Sequence, residues 1–320
     1  MQAQEPVKKQ QEKKEPKEPP RPGVSTPGVK RPLSNIKPLA IFDLESGTPD
    51  WQVLTEDAVW VANAKRNAVH RLDVKTNKIA ATITVGKSPC SGLAAGFGSV
   101  WVPLCGDKAI ARVDMKTNAI VATVPAGPAE SEGGIAASED AIWLATDPKG
   151  KLSRIDPKTN SVSATVAIPP GSAAVVYGDG AVWVTTPAKN MLTRVDAKTN
   201  QVTDSIPVGP GPRFETFGAG SVWTLNQGDG TVSRVDTRTR KVIATIEVGI
   251  PGTGGEIAFG LGHIWTTVFQ IPISEIDPGT NQVIKQWVGD GGDTIRAGHG
   301  SVWLSNLRAH TVWRIDPKQL

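Results

Sequence analysis

The chain has 320 residues, with 35 Lys or Arg against 31 Asp or Glu and a net charge of +4. Its first 33 residues hold eight Lys or Arg and four Asp or Glu, a net of +4, so the rest of the chain is neutral. A neutral body argues against a nucleic-acid partner, which needs a basic patch on the folded domain, and no apolar run approaches the length of a transmembrane helix.

Residues 1–36 come first and are dominated by Pro, Lys, Glu and Gln. With so little to bury, they read as a disordered tail or linker, a solvated spacer. No hydrophobic signal core precedes them, and Met1-Gln2-Ala3-Gln4-Glu5 reads as a methionine set on a processed, mature end. Residues 37–320 are then expected to form one domain of 284 residues, ample for a large core.

Within that domain a tryptophan returns seven times, at Trp60, Trp101, Trp143, Trp183, Trp223, Trp265 and Trp303. An aspartate follows each one, at Asp73, Asp114, Asp156, Asp196, Asp236, Asp277 and Asp316, 13 residues on in six units and 12 in the sixth. A period near 40 with short strands predicts an all-β, seven-bladed β-propeller with four-stranded blades. The unit 91–127 gives strands at 91–95, 100–104, 109–114 and 120–124, punctuated by Gly, Asn and Asp. No stretch carries a helical period of useful length. The seventh unit stops after Asp316-Pro317-Lys318 and lacks its outer strand, and Lys37 to Leu44 supplies a strand that would complete it and close the ring.

Cys90 and Cys105 lie symmetrically about the turn at 96–99. A hairpin centred there brings them within disulfide reach. Two free thiols or a soft-metal site are the alternatives, and the favoured disulfide implies an oxidising compartment, periplasmic or extracellular.

The repeated string reads Val-Trp-Val-Ala-Asn at 59–63, Val-His-Arg-Leu-Asp-Val-Lys-Thr-Asn at 69–77 and Ile-Ala-Ala-Thr-Ile-Thr-Val-Gly at 79–86, and it returns at 233–236 and 242–249. It resembles the bacterial YVTN-type propeller repeats and, more distantly, the streptogramin (virginiamycin B) lyase family. The resemblance implies a propeller over roughly 37–320. The lyase family is seven-bladed and magnesium-dependent, with a histidine in the loops leading into its last blades and a glutamate in the following loop of the final blade. The matching stretches here, Pro251 to Glu256 and Gly291 to Thr294, have no histidine, and Asn306 stands where the glutamate belongs. His263 and His299 fall in turns of the opposite face and His70 in a third strand, so of the four histidines only His310 can approach that face.

Residues present in every unit are assigned to structure. The tryptophans pack between blades. Each aspartate caps a turn such as Pro157-Lys158-Thr159-Asn160. Arg71, Arg112, Arg154, Arg194, Arg234 and Arg314 bridge or pack, with Glu275 as a local replacement. Gly-x-Gly at 96–98, 178–180, 218–220, 260–262 and 298–300 serves backbone geometry and lacks the lysine of a phosphate loop.

Chemistry is expected where the repeat breaks, in loops about ten residues before each tryptophan. These give Asp50 and Trp51, Glu130 and Glu132, Arg213 to Glu215, Glu256, and Asp290, Asp293 and Arg296. The facing loops add Asn63, Asp107, Asn226, Gln270, Asn306 and His310. Together they predict an acidic funnel with Asp50, Trp51, Glu132, Arg213, Glu256, Asp293 and His310 as ligand-binding residues. Glu132, Glu256 and Asp293 would suit a hard cation, Ca²⁺ or Mg²⁺, and an exposed Trp51 would suit a stacked cationic ligand. A solvated polar rim is the bland alternative. The expectation is an exported, monomeric binding or scaffold propeller that takes a small molecule or a protein partner. A metal-dependent lyase or hydrolase with an altered site is the alternative, and a protein-interaction platform on the outer rim is a third reading.

Overall fold

The computed structural model describes residues 30–320 apart from 46, 250, 253 and 269. Seven antiparallel meanders follow one another at 49–84, 94–124, 135–167, 175–207, 212–247, 256–288 and 295–315, named blades 1 to 7 below. The inner strand of each blade contacts the inner strand of the next, and blade 7 returns to blade 1, so the ring is closed. Second strands such as Ala58–Asn63, Ser99–Leu104 and Ala181–Thr186 are buried along their whole length, as near-continuous apolar runs require. Outer strands differ: Lys78–Thr84 is exposed at most positions, because the rim has no neighbour beyond it.

The seven repeated tryptophans are all 0–1% exposed. In five blades the indole Nε1 donates to the carbonyl of the first glycine of Gly-x-Gly, Gly96, Gly178, Gly218, Gly260 or Gly298, at 2.9–3.2 Å. Blades 1 and 3 lack that motif, and the hydroxyls of Thr55 and Ser138 accept instead. A side chain at Gly218 would lie 2.1 Å from the Phe259 ring, so glycine there permits the blades to approach. A guanidinium stands 4.6–5.8 Å above the tryptophan ring in six blades. Arg112, Arg234 and Arg314 also reach the next blade, donating to Pro157 and Asn160, Pro278 and Asn281, and Val74 and Asn77. In blade 6, where Glu275 replaces the arginine, its carboxylate pairs with His263 Nδ1 at 2.6 Å and the imidazole stands edge-on to Trp265. The turn aspartates accept backbone N–H groups, as Asp73 does from Lys75 and Thr76, and Asn77 follows at φ 56°.

Blade 7 contributes three strands of its own. Ala40–Asp43 fills the fourth place, antiparallel to Thr311–Ile315 with Ala40 opposite Arg314 and Phe42 opposite Val312. Among the described residues, strand structure is present before the expected boundary at 36. Lys30–Pro32 runs parallel to Gln282–Val288 as a fifth strand on blade 6, and Leu33 and Ile36 bury in the cluster containing Trp287. The remainder of the expected tail, 1–29, lies outside the described residues.

Cys90 and Cys105 form a disulfide, with Cα atoms 5.8 Å apart. The expected hairpin holds near its turn, with Ala94 opposite Trp101 and Gly96 opposite Ser99. Beyond it the inner strand leaves the ladder at 91–93 and resumes with Pro89 opposite Leu104, a slip of two residues. The disulfide therefore crosses a bulged stretch, not a directly opposed pair.

Candidate functional site

Two inner strands carry the same local device. In blade 1, Pro49 pairs with Asn63 and Gln52 with Val61, so one extra residue sits between them. In blade 5, Pro212 pairs with Asn226 and Phe214 with Leu225, again with one extra residue. Bulges of this kind re-aim side chains at strand ends. The triplets Pro49-Asp50-Trp51 and Pro212-Arg213-Phe214 each send a charged residue into the funnel and an aromatic residue toward the axis. The two aromatic rings meet across the axis edge to face, with centroids 5.7 Å apart.

The funnel is a pocket of about 490 Å³ lined by Asp50, Glu132, Arg213, Phe214, Gln227 and Asp293, among others. Asp50 of blade 1 and Asp293, in the loop before blade 7, line the same funnel and act on each other as an interacting carboxyl pair. Loss of water holds Asp50 well above the usual carboxylate range, and the charges of Asp293, Glu132 and Glu256 add to it. Asp293 is pushed up to about 7, first by the same loss of water, with the charges of Glu256 and Glu132 adding to it against the opposing effect of the neighbouring Asp50 carboxyl. The two groups titrate as one interacting pair. Burial also raises Glu132, despite Arg213 nearby. Arg213 pairs with Glu130 at 3.2 Å. It reaches across blade 4, whose loop offers only the buried Ser172 and Ala173.

Of the seven expected ligand-binding residues, four (Asp50, Glu132, Arg213 and Asp293) line this pocket. Trp51 and Glu256 do not; both line an axial channel below it. Trp51 is 5% exposed, so no ligand can stack on it from the funnel. Glu256 is also 5% exposed and pairs with Arg296 at 2.6 Å. His310 takes a left-handed conformation after Leu307–Ala309, and its carbonyl accepts from Leu44 of the ring-closing segment. It lies outside the funnel lining; its neighbour Leu307 is the residue that faces in. Among the described residues, no three His, Cys, Asp or Glu side chains converge to hold a metal ion. The expected Glu132, Glu256 and Asp293 set for Ca²⁺ or Mg²⁺ is therefore not assembled, because Glu256 is drawn below onto Arg296.

Most facing-loop amides are structural. Asn63 accepts from the Thr48 and Arg66 amides, Asn226 donates to Thr231 and Ser233, and Asn306 accepts from the Gly292 amide. Asp107 likewise accepts from the Lys87 amide. The residue after the strand end faces the funnel instead, as Gln227, Pro187 and Leu307 do.

No protein-family profile and no curated protein sequence matches the chain. Solved structures do. A catalytically inactive histidine-to-alanine variant of virginiamycin B lyase from Staphylococcus aureus, with quinupristin, superposes with a TM-score of 0.72 at 17% identity, covering 86% of this chain and 98% of the other. A streptogramin B lyase gives 0.71 at 18% identity over 86% and 96%. The computationally designed Ika8 protein gives 0.67 at 12% identity over 87% and 100%. A lyase and a computationally designed protein fit almost equally well, so the likeness is one of fold. The chain is a seven-bladed β-propeller, distantly similar in structure to the streptogramin lyases.

Proposed function

We propose that the protein is an exported binding propeller whose funnel takes a small, positively charged molecule. The Asp50–Asp293 carboxyl pair carries this reading. It sits in a pocket of about 490 Å³ lined by three carboxyl groups, Asp50, Glu132 and Asp293, and by the single guanidinium of Arg213, which is already paired with Glu130. An ammonium or amidinium group would replace the shared proton and offset a charge that the protein alone leaves uncompensated. The disulfide supports an oxidising compartment.

Affinity should then rise with pH as the pair ionises. With Asp293 at about 7, binding of 1,4-diaminobutane should tighten about tenfold from pH 6 to pH 8. Calorimetry at the two pH values tests this, and Asp50→Asn with Asp293→Asn should abolish binding. Equal affinity at both pH values, or binding that survives the double substitution, contradicts the proposal.

A second reading is catalytic. A buried carboxyl raised to about 7 beside a second raised carboxyl is suited to general acid–base work. Its chemistry would differ from that of the lyase, in which a histidine-to-alanine change gives an inactive protein, since the described lining of this funnel holds no histidine. Turnover separates the readings: Asp293→Ala lowers only affinity in a binder, but rate in an enzyme.

A further inference from the structure

Below the funnel the inner strands enclose an axial channel of about 250 Å³. Its wall is lopsided. Blades 2 to 4 present Leu93, Ile135 and Val176, whereas blades 5 to 7 present Glu215, Glu256 and Arg296. Arg296 is committed, with Nη2 on Glu256 Oε1 at 2.6 Å and Nη1 on the Ile295 carbonyl at 2.7 Å. Both carboxylate oxygens of Glu215, the second oxygen of Glu256 and Trp51 Nε1 are buried and reach no protein partner in hydrogen-bonding geometry. Buried polar atoms of this kind cost stability unless something satisfies them. Three are acceptors and one is a donor, and all four belong to residues that line one channel.

Two carboxylates against one guanidinium leave one negative charge. That single charge matches a monovalent ion, whereas a divalent ion would leave the buried channel with a positive charge in excess. We propose that the axial channel binds one small monovalent cation (sodium, potassium or ammonium), held by Glu215 with Glu256 beside it, while Trp51 Nε1 donates to a water of the cation's shell. The charged groups facing Glu215 are Glu256 from blade 6 and Arg296 from blade 7; the lining residues of blades 1 to 4 are uncharged. Burial holds the Glu215 carboxyl well above its usual range, against the opposing effect of the Val176 backbone. On this proposal the buried carboxyl carries a proton when the cation is absent, and binding exchanges that proton for the cation with no net change in channel charge.

The test is proton release from the intact protein in weakly buffered solution near neutral pH. The added salts are KCl, NaCl or NH₄Cl, with N-methylglucamine chloride at equal ionic strength as the bulky control. Asp50→Asn with Asp293→Asn serves as the background, so the funnel pair makes no contribution. Up to one proton per chain should appear with at least one small cation and none with N-methylglucamine. The same cation should raise the melting temperature, and Glu215→Gln should abolish both effects. Should Glu215→Gln fail to fold, discrimination between the salts by the Asp50→Asn, Asp293→Asn protein decides the matter. Release that is absent, equal for all salts, or unchanged by Glu215→Gln overturns the proposal.

Discussion

Asp293 and the turn aspartates respond to pH in opposite directions. A carboxyl near 7 in the folded chain and near 3.9 in the unfolded chain leaves the folded state holding the extra proton between those values. Its contribution to stability therefore falls as pH rises from about 4 to about 7. Asp293→Asn should raise the melting temperature by roughly 2–4 °C at pH 8 and leave it unchanged at pH 4; equal effects at both would contradict the assignment. Asp114 and Asp236 are held below the usual range by N–H groups of Thr117 and Thr239, so their contribution is present above about pH 4 and lost on further acidification. Arg234 bonds Ser221, Pro278 and Asn281 above Trp223, whereas Arg194 bonds Thr203. Arg234→Lys should thus cost about 2 kcal/mol and Arg194→Lys under about 1 kcal/mol in denaturant unfolding. The tryptophan, arginine and aspartate roles were legible because each recurs unit after unit. Asn63, Asn226 and Asn306 were not, since an amide that caps a buried loop and one that awaits a ligand look alike in one dimension.

Among the elements, the ring-closing strand was legible because the seventh unit ends one strand short. The parallel strand Lys30–Pro32 was not: three residues in a Pro- and Lys-rich stretch carry no period, and their pairing comes from the blade 6 edge. Leu33 and Ile36 follow it into the core. A chain beginning at Lys37 should be about 3 kcal/mol less stable than one beginning at Lys30, and equal stability would show the added strand to be incidental. The disulfide closes a separation of 15 residues. Cys90→Ser with Cys105→Ser should therefore cost about 3 kcal/mol in the chain-entropy model, read by urea unfolding. The symmetric cysteine spacing pointed to the bond, but the slip at 91–93 left no trace in it. The bulges at Pro49 and Pro212 were likewise not anticipated, since one extra residue in a strand leaves the repeat spacing almost unchanged.

At the scale of the whole molecule, the ring alone joins residues as remote as Asp50 and Asp293. Stacking the wedges brings carboxyl groups from blades 1, 3, 6 and 7 close enough to raise one another's proton affinity. It also separates what looked like one set, sending Trp51 and Glu256 below the funnel floor. The loop from which each residue comes was legible, but its depth along the axis was not: a one-residue bulge sets that of Trp51, and the ion pair with Arg296 accompanies that of Glu256. The most direct measurement of this convergence is the titration of the Asp293 side-chain carboxyl by ¹³C NMR in the intact protein. The structure requires a midpoint near 7. A midpoint in the ordinary aspartate range, about 4, would mean that the blades do not bring these acids together.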